Sequence, residues 1–162
     1  MTRLAAVARF LAFLLIPVAV GAGSGFLTVG AVREWYPSLV RPSFAPPSWV
    51  FGPVWTVLYL MMGLAAYLVW RHRAHEDRVR AALALFAGQL VLNGLWSVLF
   101  FGVRSPGLAL VEIVVLWVAI AATLRAFWQI NVPAGALLLP YLGWVSFATA
   151  LNAGFWFLNR AG

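Results

Sequence analysis

Charged positions divide the chain into long uncharged runs: residues 10–32, 42–70, 81–103 and 126–159 contain no Asp, Glu, Lys or Arg, and a fifth run, 105–124, is broken only by Glu112. Each run reaches the ~20 residues that a helix needs to cross the hydrocarbon of a bilayer. Backbone groups in lipid must bond within their own segment, so runs of this length read as helices, at about 6–30, 48–70, 79–102, 106–127 and 133–158. The fold class is therefore an all-α membrane protein, a five-transmembrane-helix bundle with a long structured loop between helices 1 and 2. The five spans use nearly the whole chain, so residues 1–162 form one domain. The links at Gly102–Ser105 and Asn131–Pro133 are short and make their helices antiparallel neighbours, whereas the link at 31–47 is much longer.

That link leads into RPSFAPPSWVFGPVW, residues 41–55. Each proline fixes φ and disfavours helix in the residue before it, so Pro42, Pro46 and Pro47 hold the segment extended up to the second helix. A stiff flap across the helix ends is expected. Trp35, Tyr36 and Trp49 on it suit either interface anchoring or a functional rim.

Composition narrows the class. With 64% hydrophobic and 9% charged residues and a mean hydropathy of +0.95, a soluble domain is excluded. There is no cysteine, which removes disulfides, thiolate nucleophiles and cysteine metal sites. All 11 basic residues are arginine, which with the alanine content points to a GC-rich bacterial genome. The net charge of +7 could suggest nucleic acid, but the arginines sit at the ends of apolar runs, where phosphate headgroups are the natural partners. Arg3 and Arg9 followed by FLAFLLIPVAV and GAGSG imitate a secretory leader, yet the uncharged run continues to Val32, and the segment is read as a full span. Arginine sidedness sets Arg3, Arg9, Arg71, Arg73, Arg78, Arg80 and Arg125 against Arg33, Arg41, Arg104 and Arg160. In an inner membrane this places the N-terminus in the cytoplasm and the long loop and C-terminus outward.

Polar and aromatic residues coincide in depth. At 1.5 Å per residue, Trp55 and Trp96 each lie about 10 Å in from the loop end of their helices. Asn93, Trp96 and Ser97 share one face of the third helix, Tyr59 extends the aromatic face of Trp55, and Glu112 and Asn152 fall near the same level, while Trp144 lies nearer the middle of the fifth helix with Ala148 one turn closer to the loop side. An aromatic layer with a few polar points is the usual form of a small-molecule site. Each member also has a packing explanation, since Asn93 and Asn152 can serve only to bond across helices. Glu112 is a costly residue in a span and is expected to line the pocket in its protonated form. His72 and His75 have a spacing that suits a metal but lie in a charged loop, so no metal site is assigned. No serine, histidine and carboxylate grouping can be assembled. Gly21 with Gly25, and Ala81 with Ala84 and Gly88, are small-residue faces suited to helix contacts, the second favoured for a dimer.

Three stretches carry a family resemblance: WYPSLVRPSFAPPSWVFGPVWTVLY at 35–59, QLVLNGLWSVLFF at 89–101 and PYLGWVSFATALNAGFWFLN at 140–159. In this order they resemble the translocator protein family (TspO, tryptophan-rich sensory protein, the peripheral-type benzodiazepine receptor). The resemblance implies a membrane protein that binds porphyrins such as protoporphyrin IX and haem, with sterols and benzodiazepine-type drugs as further ligands, and commonly a homodimer. By motif, the ligand-binding positions are Tyr36, Trp55, Tyr59, Asn93, Trp96, Ser97, Trp144 and Ala148, with Glu112 by position in helix four. The lid comprises Trp35, Arg41, Phe44, Pro46, Pro47 and Trp49, with Phe44 where the family's loop usually has tryptophan. The sterol pattern corresponds to Leu151, Phe155 and Arg160, with Phe155 lacking the family's tyrosine hydroxyl. The leading expectation is a tetrapyrrole-binding regulatory or transport protein that needs no cofactor. The alternatives are a sterol or porphyrin permease and a light-dependent porphyrin-degrading enzyme, in which Trp55 and Trp144 would be the reactive pair.

Overall fold

The computed structural model describes residues 3–72 and 76–160. It contains helices α1 (Arg3–Glu34), α2 (Phe51–Trp70), α3 (Glu76–Ser97), α4 (Pro106–Ile130), α5 (Val132–Ala136) and α6 (Leu139–Asn159), and no strand among the described residues. Five segments are long and apolar enough to cross a membrane: α1, Ser48–Trp70, Glu76–Gly102, Pro106–Ile130 and Val132–Asn159. The all-α five-span architecture expected from the uncharged runs is thus present.

Two boundaries differ from expectation for identifiable reasons. α1 runs through Pro17 and continues to Glu34, ending where Pro37 disfavours α-helix in the residue before it and the tighter turn Tyr36–Ser38 begins. The fifth span is two helices rather than one. Asn131 caps α5 by accepting from the Ala134 N–H at 2.9 Å, and Pro140 has no N–H to continue the helix from the turn at Leu137 and Leu138. Gly135 lets α5 fold back on α4, since a Cβ there would stand 2.8 Å from the Trp128 Cα.

The helices form a ring. α1 packs on α2 and α3, α3 on α4, and α4 on α6. Ring contacts of Trp55 with Tyr141 and of Phe51 with Trp144 close the circuit between α2 and α6. The core runs through Met62, Ala66, Val69, Ile120, Phe127, Tyr141 and Val145, all essentially inaccessible. α1 and α2 are in close backbone contact one turn before Pro17, through which α1 continues. Proline offers no N–H to the Phe13 carbonyl four residues back. Gly63 of α2 sits against that oxygen, where a Cβ would lie 2.5 Å away.

At its other end α3 passes into a wider π-helical turn, Val98–Gly102, in which the Val103 N–H donates to the Val98 carbonyl at 2.8 Å. Turns of this kind recur at functional sites. The chain then reverses through Arg104, whose φ of 56° is left-handed.

Residues 35–50 form a lid over this end of the bundle. Pro42 is buried against Gly154, and Phe44 meets Phe147 edge-on with ring centres 6.4 Å apart. The backbone of Val40 is latched twice to Asn159: its N–H donates to Oδ1 at 2.9 Å and its carbonyl accepts from Nδ2 at 3.0 Å.

Candidate ligand-binding site

Beneath the lid lies a cavity of about 590 Å3, walled by α1, α2, α3 with its π turn, and α6. Its size falls within the ~300–1,000 Å3 of small-molecule sites. Trp55 on α2 stacks on Tyr59 with ring centres 5.4 Å apart and planes 28° apart. Trp144 on α6 faces it from another wall, held between Phe51 at 5.9 Å and Phe147 at 5.5 Å. Trp96 packs on both Phe100 and Phe101 of the π turn, at 5.3 and 6.1 Å. Arg41 and Tyr36 close the lid side, the guanidinium lying 5.4 Å over the Tyr36 ring. Arg41 also donates to the Pro46 carbonyl and the Ser48 hydroxyl, each at 3.4 Å.

Polar groups behind the walls hold the rings in place. Tyr59 donates its hydroxyl proton to Asn93 Oδ1 at 2.7 Å, Asn93 Nδ2 donates to the Tyr141 hydroxyl at 3.0 Å, and Tyr141 donates to Gln89 Oε1 at 2.9 Å. All four side chains are buried, so each satisfied group avoids a penalty that lipid surroundings would make severe. A second tie crosses three helices. Trp96 Nε1 donates to Asn152 Oδ1 at 3.0 Å, and Asn152 Nδ2 donates to the Pro106 carbonyl at 2.7 Å. By contrast, the Trp144 indole N–H, also buried, has no hydrogen-bond partner among the described residues.

Of the positions singled out from sequence, Tyr36, Trp55, Tyr59, Trp96, Ser97, Trp144 and Ala148 all line the cavity. Asn93 and Glu112 do not. Asn93 sits behind Tyr59 with its amide used by Tyr59 and Tyr141. Glu112 belongs to α4, which contributes nothing to the wall, and its carboxylate is buried without a hydrogen-bond partner among the described residues. In the lid, Arg41 reaches the cavity while Trp35 packs on Phe100, Phe44 rests on Phe147 and Trp49 turns outward, 74% exposed. Pro46 and Pro47 shape the approach to the turn Ser48–Val50 without lining the cavity. Leu151 and Phe155 line the cavity, whereas Arg160 does not and lies over Trp156 and Phe157.

His72 bonds the Leu68 carbonyl through Nδ1 at 2.9 Å, while His75 and Arg73 lie outside the described residues. No group of three metal-ligating side chains occurs among the described residues.

The sequence reading missed the contribution of α1. Gly21, Ser24, Gly25 and Thr28 supply one wall. Their helical spacing was visible, but small residues look alike whether a neighbour fills the space or leaves it open. Phe51, Gly52, Phe100 and Phe101 were likewise not singled out.

A ring of membrane-spanning helices around an aromatic cavity, closed at one end by a proline-stiffened lid, defines a multi-pass helical membrane protein with a covered internal cavity. The TspO/MBR family model matches residues 13–157, and the chain belongs to that family. It is 41% identical over 152 residues to the tryptophan-rich protein TspO of Archaeoglobus fulgidus, covering 93% of this chain and 97% of that protein. It is 44% identical over 135 residues to the human translocator protein, covering 83% and 79%. It is also 44% identical over 128 residues to the tryptophan-rich sensory protein of Cereibacter sphaeroides, covering 77% and 78%.

Proposed function

We propose that this multi-pass membrane protein binds a tetrapyrrole, protoporphyrin IX or haem, in the cavity under the lid and acts as a TspO-type regulatory or transport protein. The observation carrying this reading is the joint presence of Trp55, Tyr59, Trp96 and Trp144 around one volume of about 590 Å3 with Arg41 at its lid side. A flat macrocycle gains stacking energy on such walls, and the guanidinium suits its carboxylates. The relatives' names, translocator and sensory protein, fit a ligand that is moved or sensed. Sterol binding is the less supported extension, because Phe155 lacks the tyrosine hydroxyl of the family's pattern and Arg160 does not line the cavity with Leu151 and Phe155.

Quenching of protein fluorescence on titration with protoporphyrin IX tests the reading. Trp55→Leu and Trp144→Leu should each forfeit about 0.5–1.5 kcal/mol of aromatic contact, roughly 2- to 13-fold in Kd. Unchanged affinity in both variants would place the ligand elsewhere.

A second reading, light- and oxygen-dependent breakdown of bound porphyrin, is favoured by one observation: the indoles of Trp55 and Trp144 reach the same cavity. Product analysis of illuminated protein decides it, since bleaching equal to that of free porphyrin removes the enzyme.

The protein is further proposed to pair with a second copy through Ala81, Ala84 and Gly88, which edge a shallow apolar groove on α3, and to hold its N-terminus in the cytoplasm.

A further inference from the structure

The cavity has a lid at one end, yet its wall also thins at the side, where Gly25 and Gly52 leave open space. α1 and α2 are in tight contact at Gly63 against Phe13 and Leu14, and again at Gly21, where a Cβ would stand 2.0 Å from the Tyr59 ring. Towards the lid they part. Gly25 on α1 and Gly52 on α2 both line the cavity, both are exposed, and a Cβ on either would meet nothing within 4 Å. Val29 and Val32 line the same volume while remaining 42% and 40% exposed. Helical phase places Gly25 on the α2-facing side of α1, close to Gly21, and Gly52 on the α1-facing side of α2, in line with Gly63. The two open glycines therefore face each other across a wedge that closes at Tyr59.

The edges of this wedge suit hydrocarbon. Ser24 and Thr28 on α1 donate their hydroxyl protons to the Gly21 and Ser24 carbonyls at 3.1 and 2.8 Å, and Thr56 on α2 donates to the Gly52 carbonyl at 2.9 Å. Each hydroxyl is satisfied by its own helix, so no free donor obstructs an apolar guest. The lid is fastened by contrast: Val40 is doubly bonded to Asn159, Pro42 is packed on Gly154, and Tyr36 lies on Phe155 at 5.4 Å.

We infer that the cavity is loaded sideways from the bilayer, through the gap between Gly25 and Gly52, by a flat amphiphile already dissolved in the membrane whose acidic end comes to rest near Arg41. The inference deepens the porphyrin reading and depends on it for the identity of the guest. It requires a ligand that partitions into lipid before it binds, and a lid that stays shut during exchange.

Protein reconstituted in vesicles, with protoporphyrin IX introduced in the lipid phase, gives entry and exit rates from stopped-flow tryptophan quenching. Gly25→Leu and Gly52→Phe, each made singly, should slow both entry and exit by about tenfold, because a plugged gap raises the barrier in both directions; a variant that only spoiled the wall would speed exit instead. The lid is tested by Pro42→Cys with Gly154→Cys in this cysteine-free chain. A Cβ at Gly154 would lie 3.2 Å from the Pro42 Cβ, close enough to crosslink. Oxidation of that pair should leave the entry rate as it is in the reduced protein. Entry unaffected by both glycine variants, or halted by the closed crosslink, overturns sideways loading. If protoporphyrin IX does not quench the unmodified protein at all, the porphyrin reading falls by itself. The gap is then judged with membrane-dissolved doxyl stearate, through the quenching that disappears in Trp144→Phe: weakened by Gly52→Phe, it supports the gap, and unweakened it rules it out.

Discussion

Arg41 and Tyr59 mark the two ends of the cavity and do different physical work. Arg41 is held by long hydrogen bonds to Pro46 and Ser48 and lies over Tyr36, which leaves its charge available to an anionic group below. Arg41→Gln should weaken protoporphyrin IX binding while leaving a carboxylate-free porphyrin unaffected, a comparison that isothermal titration of the two ligands makes directly. At the floor, Tyr59 keeps its ring where Gly21 leaves room and its hydroxyl where Asn93 receives it. Tyr59→Phe should cost about 0.6 kcal/mol, and at most ~1.7, the range for hydrogen bonds between membrane helices. Gly21→Ala is expected to cost more, about 1–3 kcal/mol, because the added methyl would overlap the ring and force it off both Asn93 and Trp55. Thermal unfolding in detergent should therefore rank the glycine variant below the tyrosine one.

The spans were legible in the sequence because lipid imposes a length on any apolar helix, and the uncharged runs met it. Their internal breaks were not. Pro17 and Pro140 have the same covalent chemistry, yet α1 continues through the first and the fifth span divides just before the second. The difference lies in the surroundings. At Pro17 a neighbouring helix covers the freed Phe13 carbonyl with Gly63, whereas before Pro140 the Asn131 cap and Gly135 already turn α5 back on α4. Gly63→Ala should therefore separate α1 from α2, at a cost of about 1–3 kcal/mol of overpacking, and a fall in Tm with no change at the lid would show it.

Considered whole, the molecule is a ring of helices with one end fastened. The latch joins positions 40 and 159, far apart in the chain, and was invisible in sequence because it consists of one backbone segment meeting one amide. Asn159→Leu should free the lid, and limited proteolysis between residues 35 and 50 should accelerate while the helices remain protected. The cavity itself was partly legible: the tryptophans announced it through their depth, and α2, α3 and α6 supplied walls where expected. Asn93 and Glu112 shared that depth without reaching the cavity, since depth fixes a level along a helix but not the direction a side chain takes from it.

The π turn at Val98–Gly102 carries a consequence for how the chain tolerates change in length. By adding one residue to a single coil, it aligns positions five apart, so Trp96 meets Phe101 as well as Phe100. Losing one residue there would restore regular winding and rotate one of those phenylalanines by about 100°, opening the end wall without altering the hydrophobicity of the span. A deletion invisible to any measure of greasiness would thus leave a protein that inserts normally with its cavity broken open.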